Sequence, residues 1–273
     1  MGRFSEFFSR RKKFEPEGHV VSGRLAEFRL MKLTRAVAGD ALVLEGIRLP
    51  DPEEGGRREI DMVIATKNEI LFVEQKHWSG SFTITSEGRF FQKRKNGGTL
   101  MHKDIVAWTC RKGDLLCDLH EARTDKPAPP SKVILVFSNK NLEWSPLPDE
   151  VPAEAYDEMG FINMVEKMEK SAPDKDLEET LLGFGTWDTI YLNGGKTVIG
   201  DILEYPFEKE NCSIKHSGVL GILTGPKSVL TTGHEIRDQA GPLVSVVGED
   251  GSRIIPFANI SKIEFSNPRA EWG

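Results

Sequence analysis

Two apolar runs separated by a short polar turn constrain this chain more than any other feature. Residues 60–65 (IDMVIA) and 70–76 (ILFVEQK) are rich in branched and large apolar side chains, and Lys67 and Asn68 between them suit a tight turn. The segment is expected to form two antiparallel strands. Side chains alternate along a strand, so Glu74 and Lys76 share a face with Ile70 and Phe72, while Leu71, Val73 and Gln75 face the other way. Two charges therefore close one apolar face. Pairing across the turn brings Asp61, near the start of the first strand, close to Glu74. A buried strand end tolerates such charges only when they are paired or bound to a metal.

Two carboxylates and an ammonium at one point suit metal-assisted phosphodiester hydrolysis. Hard oxygen ligands hold a divalent cation, which polarises the phosphate and acidifies bound water. Lys76 would orient or deprotonate that water, or balance the charge accumulating on the phosphate. The competing reading is an exposed ion pair of little energetic weight. Glu-x-Lys occurs once in the chain, and that copy ends an apolar strand.

Around this pair the chain reads as helix, strands, helix, strand. Apolar residues recur at helical spacing over residues 19–37, including Val21, Leu25, Phe28, Met31 and Leu33. A hairpin is expected over residues 81–93, turning at Glu87 and Gly88. An amphipathic helix follows over residues 101–122, with Gly113 weakening its middle. Residues 132–137 (KVILVF) form a continuous apolar run of the kind buried on both faces of a sheet. Short helices are expected over residues 161–170 and 177–184. Beyond Thr186 short strands predominate, over residues 187–192, 197–205, 219–224, 243–247, 253–257 and 260–265.

The segment from Gly18 to Gly80, with GRLAE at residues 23–27, IDMVI, ILFVEQKHWSG and the SFTI hairpin, resembles the nuclease-related domain (NERD) family of the PD-(D/E)XK nuclease superfamily. The resemblance implies an α/β fold with a PD-(D/E)XK restriction-endonuclease-like core, a central mixed sheet flanked by helices. It also implies that Glu27 is the helix-borne acid, Asp61 the principal metal ligand, Glu74 the second ligand and Lys76 the catalytic lysine, with Mg²⁺ or Mn²⁺ as cofactor and the Gln75 carbonyl as a further ligand. Glu27 has support from its own position, a carboxylate on the apolar side of its helix. The chain departs from the family pattern at Ala26 and His77, and the usual glutamine is not found near residues 103–105.

The domain plan is a basic aromatic arm over residues 1–16, the nuclease-like domain over 17–185, and a small all-β barrel, Sm-like or SH3-like, over 186–273. Lys93, Arg94, Lys95, His102 and Lys103, in a basic run that also holds Arg89, Arg111 and Lys112, follow the strand pair and are candidates to track a phosphate backbone, with Phe90, Phe91 and Trp108 as stacking surfaces. The functional expectation is a divalent-metal-dependent nuclease acting on DNA. The alternative is a non-catalytic adaptor that keeps the fold and binds nucleic acid, a membrane or a protein, with the barrel serving partner recognition or self-association. The three cysteines, Cys110, Cys117 and Cys212, include no close pair, which argues against a disulfide framework or a structural zinc site. With no secretory-type apolar leader, the expected location is the cytoplasm, with residues 1–14 offering peripheral contact to an anionic membrane.

Overall fold

The computed structural model describes residues 18–53, 57–85, 89–94, 97–102, 104–216, 228–236 and 240–266. The basic arm, the turn at Glu87 and Gly88, Lys95, Lys103 and the strand expected over 219–224 lie outside the described residues. Contacts divide the chain into two compact units, residues 22–186 and the part from Trp187 onward.

The first unit is built on a five-stranded mixed sheet. Strands β1 (Leu42–Pro50), β2 (Arg57–Ala65) and β3 (Ile70–Lys76) pair antiparallel in sequence order, and β7 (Ser131–Phe137) and β9 (Glu154–Asp157) extend the sheet in parallel beyond β3. Helix α1 (Gly18–Val37) and helix α3 (Glu158–Lys167) cover one face, where Leu30, Met31, Phe161 and Val165 pack on Leu71, Val73, Ile134 and Val136. Helix α2 (Ile105–Thr124) and helix α4 (Lys175–Leu182) cover the other, where Leu116, Leu177 and Leu181 meet Ile70 and Phe72. β3 is buried on both faces, which explains its unbroken apolar run. A second sheet of β4 (Gly80–Ile84), β5 (Phe90–Lys93), β6 (Thr99–His102) and β8 (Leu142–Trp144) packs Phe82, Phe90 and Leu142 against Leu135 and Phe137 of β7.

Helix α2 starts at Ile105 and not at Met101, because residues 99–102 pair with β5 and Asp104 caps the helix by accepting from the Ala107 N–H. Asp157 and Asp174 cap α3 and α4 in the same way. Gly113 has a packing reason. A Cβ built there would lie 2.6 Å from Cε2 of Phe72, so the glycine lets α2 rest directly on the ring.

One local departure positions a functional side chain. Ile60 packs on the α2 side with Val63 and Ala65, whereas Met62 packs on the α1 side. Simple alternation would keep Ile60 and Met62 together. The break falls at Asp61, which lies between the pairs Glu45↔Met62 and Ile47↔Ile60 and so faces Gly46. Gly46 has φ +59°, a left-handed conformation that glycine adopts at little cost.

The second unit is all β among its described residues apart from a 3₁₀ turn at Phe257–Asn259. Strands β10 (Asp188–Leu192), β11 (Thr197–Glu204), β12 (Cys212–His216), β13 (Ser228–Leu230), β14 (Leu243–Val246), β15 (Ser252–Ile254) and β16 (Ile260–Glu264) run in the order β13-β12-β16-β10-β11-β14-β15. The end strands β13 and β15 are not paired with each other among the described residues. The small closed barrel expected here is thus not seen among the described residues. Its core gathers Ile190, Val198, Ile214, Val244, Ile255, Phe257 and Ile263. Among the described residues no helix is long and apolar enough to cross a membrane.

Gly113→Ala provides a test of the packing between α2 and β3. In an exposed helix this change stabilises by about 1 kcal/mol, but here the methyl group overlaps Phe72, and overpacking costs about 1–3 kcal/mol. Urea denaturation is expected to show a net loss of stability; a gain would mean that α2 does not rest on Phe72.

Candidate active site

Glu74 lies at the end of β3 on the face covered by α2. Its side chain is 9% exposed, and each carboxylate oxygen receives an ammonium: Lys76 Nζ lies 2.6 Å from Oε1 and Lys112 Nζ 2.7 Å from Oε2. Thr109, one helical turn before Lys112 on α2, has its hydroxyl 3.4 Å from the same Oε2 and donates to the Ile105 carbonyl at 2.8 Å. Residues three apart on a helix share a stripe, so Thr109 and Lys112 approach β3 together.

Asp61 joins the group from β2. The pairing of β2 with β3 ends at Met62↔Val73, and beyond it Asp61 Oδ2 accepts from the Gln75 N–H at 2.8 Å. The side chain thus takes the place of the next ladder acceptor, which satisfies a backbone donor otherwise left without a partner. The same oxygen lies 4.0 Å from Lys76 Nζ.

The charges set one another. Burial, reinforced by the nearby Glu74 charge, pushes the Asp61 carboxyl up to about 7, despite the opposing pull of Lys76 and Lys112. Burial also raises Glu74, but its two lysine partners outweigh that effect and leave it below the usual carboxylate range. Burial disfavours the charge of Lys76, yet Asp61, Glu74 and, more weakly, Glu27 hold it above the usual lysine value. Lys76 therefore stays protonated, which suits orienting and charge-balancing roles and not proton abstraction.

Asp61, Glu74 and Lys76 come together, and Glu27 acts on Lys76 through its charge. Among the described residues no three His, Cys, Asp or Glu gather closely enough to hold a metal ion, so Glu27 does not complete a three-acid cluster here. Lys93 and Arg94 are exposed, whereas Phe90 is buried in the core. His102 stacks on Trp78 at 3.9 Å and faces the Gln92 amide oxygen at 3.1 Å; burial, then Arg94 and Lys76, hold its pKa below the usual value. Trp108 lies beneath the Arg58 guanidinium. Just past Lys76 and Phe137, a cleft of about 600 Å³ is lined by residues that include His77, Ser138, Asn139 and Lys140. His77 Nδ1 lies 3.0 Å from the Ser138 hydroxyl.

Lys112 is the site residue that the sequence did not single out for this role, since it read only as one basic residue in a run. Its spacing from Thr109 carries the signal, though that signal acquires meaning only once α2 is placed over Glu74.

Residues 22–138 match the family model of the nuclease-related domain, NERD. The match runs from α1 through β7 and includes Asp61, Glu74, Lys76 and Lys112, so this stretch is similar to the nuclease-related domain. Neither curated proteins nor solved structures gave a match.

The raised Asp61 pKa has a consequence for metal-free protein. Its unfolded value is near 3.8 and its folded value near 7, so between these the native state holds the extra proton and stability falls as pH rises. The advantage is fully present below about 4 and gone above about 7. Thermal melts of wild type and Asp61→Asn in EDTA from pH 4 to 8 measure this. The wild-type melting temperature is expected to fall relative to the variant as pH rises; a constant difference contradicts the assignment.

Proposed function

We propose that this chain is a divalent-metal-dependent nuclease that hydrolyses phosphodiester bonds, with DNA as substrate. The observation that carries this reading is the convergence of Asp61, Glu74 and protonated Lys76 at the end of β3, within the stretch that matches the nuclease-related domain.

The donor chemistry fits Mg²⁺ or Mn²⁺. Asp61 and Glu74 offer carboxylate oxygens and Gln75 a backbone carbonyl, all hard ligands, and Glu27 is assigned as a further acid. A cation bound there would polarise the scissile phosphate and acidify water. Lys76 orients the attacking water and neutralises charge that develops on the phosphate, its ammonium fixed by Glu74 and Asp61 before substrate arrives. The exposed Lys93 and Arg94, with Lys95 and Lys103, are assigned to phosphates away from the scissile bond, and the cleft beside His77 and Lys140 gives room for the strand.

The absence of a three-acid cluster among the described residues favours a second reading, an adaptor that keeps the nuclease fold and binds nucleic acid without cutting it. The strands of the second unit would then recognise a protein partner or a second copy of the chain.

Cleavage assays separate the two. Purified protein with single- and double-stranded DNA and RNA is expected to cut DNA in Mg²⁺ or Mn²⁺ and not in EDTA. Asp61→Asn and Lys76→Met are each expected to lower the rate at least about 100-fold, in line with losing a transition-state charge contact. Equal cleavage by all three proteins refutes the assignment, and DNA binding without cutting by wild type favours the adaptor.

A further inference from the structure

Both oxygens of Glu74 hold ammonium groups, at 2.6 and 2.7 Å, so a divalent cation bound there would meet two positive charges at contact distance. The ammonium groups of Lys76 and Lys112 already answer the Glu74 charge. A cation of charge +2 in the same place adds repulsion with both. That repulsion favours release of one ammonium.

The geometry says which. Lys76 belongs to β3 itself, two residues from Glu74, and also faces Asp61 at 4.0 Å. Lys112 reaches in from α2 on an unbranched four-carbon stem, and among the described residues its ion pair is with Glu74. Its side chain is 14% exposed, so it fills the space beside Glu74 without being sealed in. Gly113, next to it, brings α2 close enough for this reach.

We propose that Lys112 is a tethered counter-ion that holds Glu74 in the metal-free protein and is displaced when a divalent cation binds. This rests on the metal-dependent reading above. It makes Lys112 a positioning residue that sets the metal affinity of the centre, so that metal occupancy depends on the cation concentration the protein meets. A purely structural role makes the opposite forecast: removing Lys112 would loosen Glu74 and weaken metal binding.

Isothermal titration of the full chain with Mn²⁺ distinguishes these, using wild type, Lys112→Met and Lys112→Arg, with folding of each checked by circular dichroism. Lys112→Met keeps the length and loses the charge, and is expected to bind Mn²⁺ about tenfold or more tightly than wild type. Lys112→Arg keeps the charge and is expected to stay within about threefold of it. Equal or weaker binding by Lys112→Met, or tightening by both variants, overturns the role of Lys112 and leaves the metal reading standing. No binding by folded wild type or Lys112→Met overturns both. Amine-selective labelling of wild type read by mass spectrometry gives a check that needs no variant. Lys112 labelling is expected to rise several-fold with Mn²⁺, and unchanged labelling counts against displacement.

Discussion

The Glu74 carboxylate sits almost out of water at the end of a strand whose preceding residues are buried on both faces. A lone charge there would be strongly destabilising, and breaking such a pair typically costs about 3–5 kcal/mol. The surrounding structure is arranged to meet that demand. Lys76 supplies one ammonium from the same strand, and α2 supplies the other through Lys112. For α2 to come so near, it must lie against Phe72, two residues earlier on the same face, and only a residue without Cβ fits at Gly113. The buried charge, the helix that answers it and the glycine that admits the helix form one dependent set.

Asp61 enters by a different route. It is held at a place where β1 and β2 break their alternation opposite Gly46, and its side chain completes the backbone pairing of β3 beyond the last ladder pair. A carboxylate fixed by a backbone N–H is preorganised, since its position does not depend on a mobile side-chain partner. The local irregularity in the sheet thus places an acid beside Glu74 while the apolar residues on either side remain in their cores.

The strand pair was legible because its signal is local. Branched apolar runs, a two-residue polar turn and side-chain alternation determine which residues share a face, and these suffice for Glu74 and Lys76. Asp61 was placed near Glu74 by pairing alone, but it lies opposite Gly46, fifteen residues earlier, whose φ of +59° no periodicity reveals. The family resemblance reached the nuclease-related domain over the stretch that its model matches. Lys112 was visible only as one charge in a basic run, because its partner is thirty-eight residues away. Gly113 read as a weak point in a helix, since the contact with Phe72 that requires it is tertiary. In the second unit, β12 and β13 were missed: CSIKH and SVL are short, and their polar positions hide the buried Cys212, Ile214, Ser228 and Leu230.

Asp61 and Glu74 are proposed to form one cation-binding centre with Lys76. The most direct test is anomalous diffraction from crystals of the full chain grown or soaked with Mn²⁺. The account predicts an anomalous peak at oxygen-ligand distance from the carboxylates of both Asp61 and Glu74. A well-ordered site with no peak there, or manganese bound only elsewhere on the chain, would contradict it.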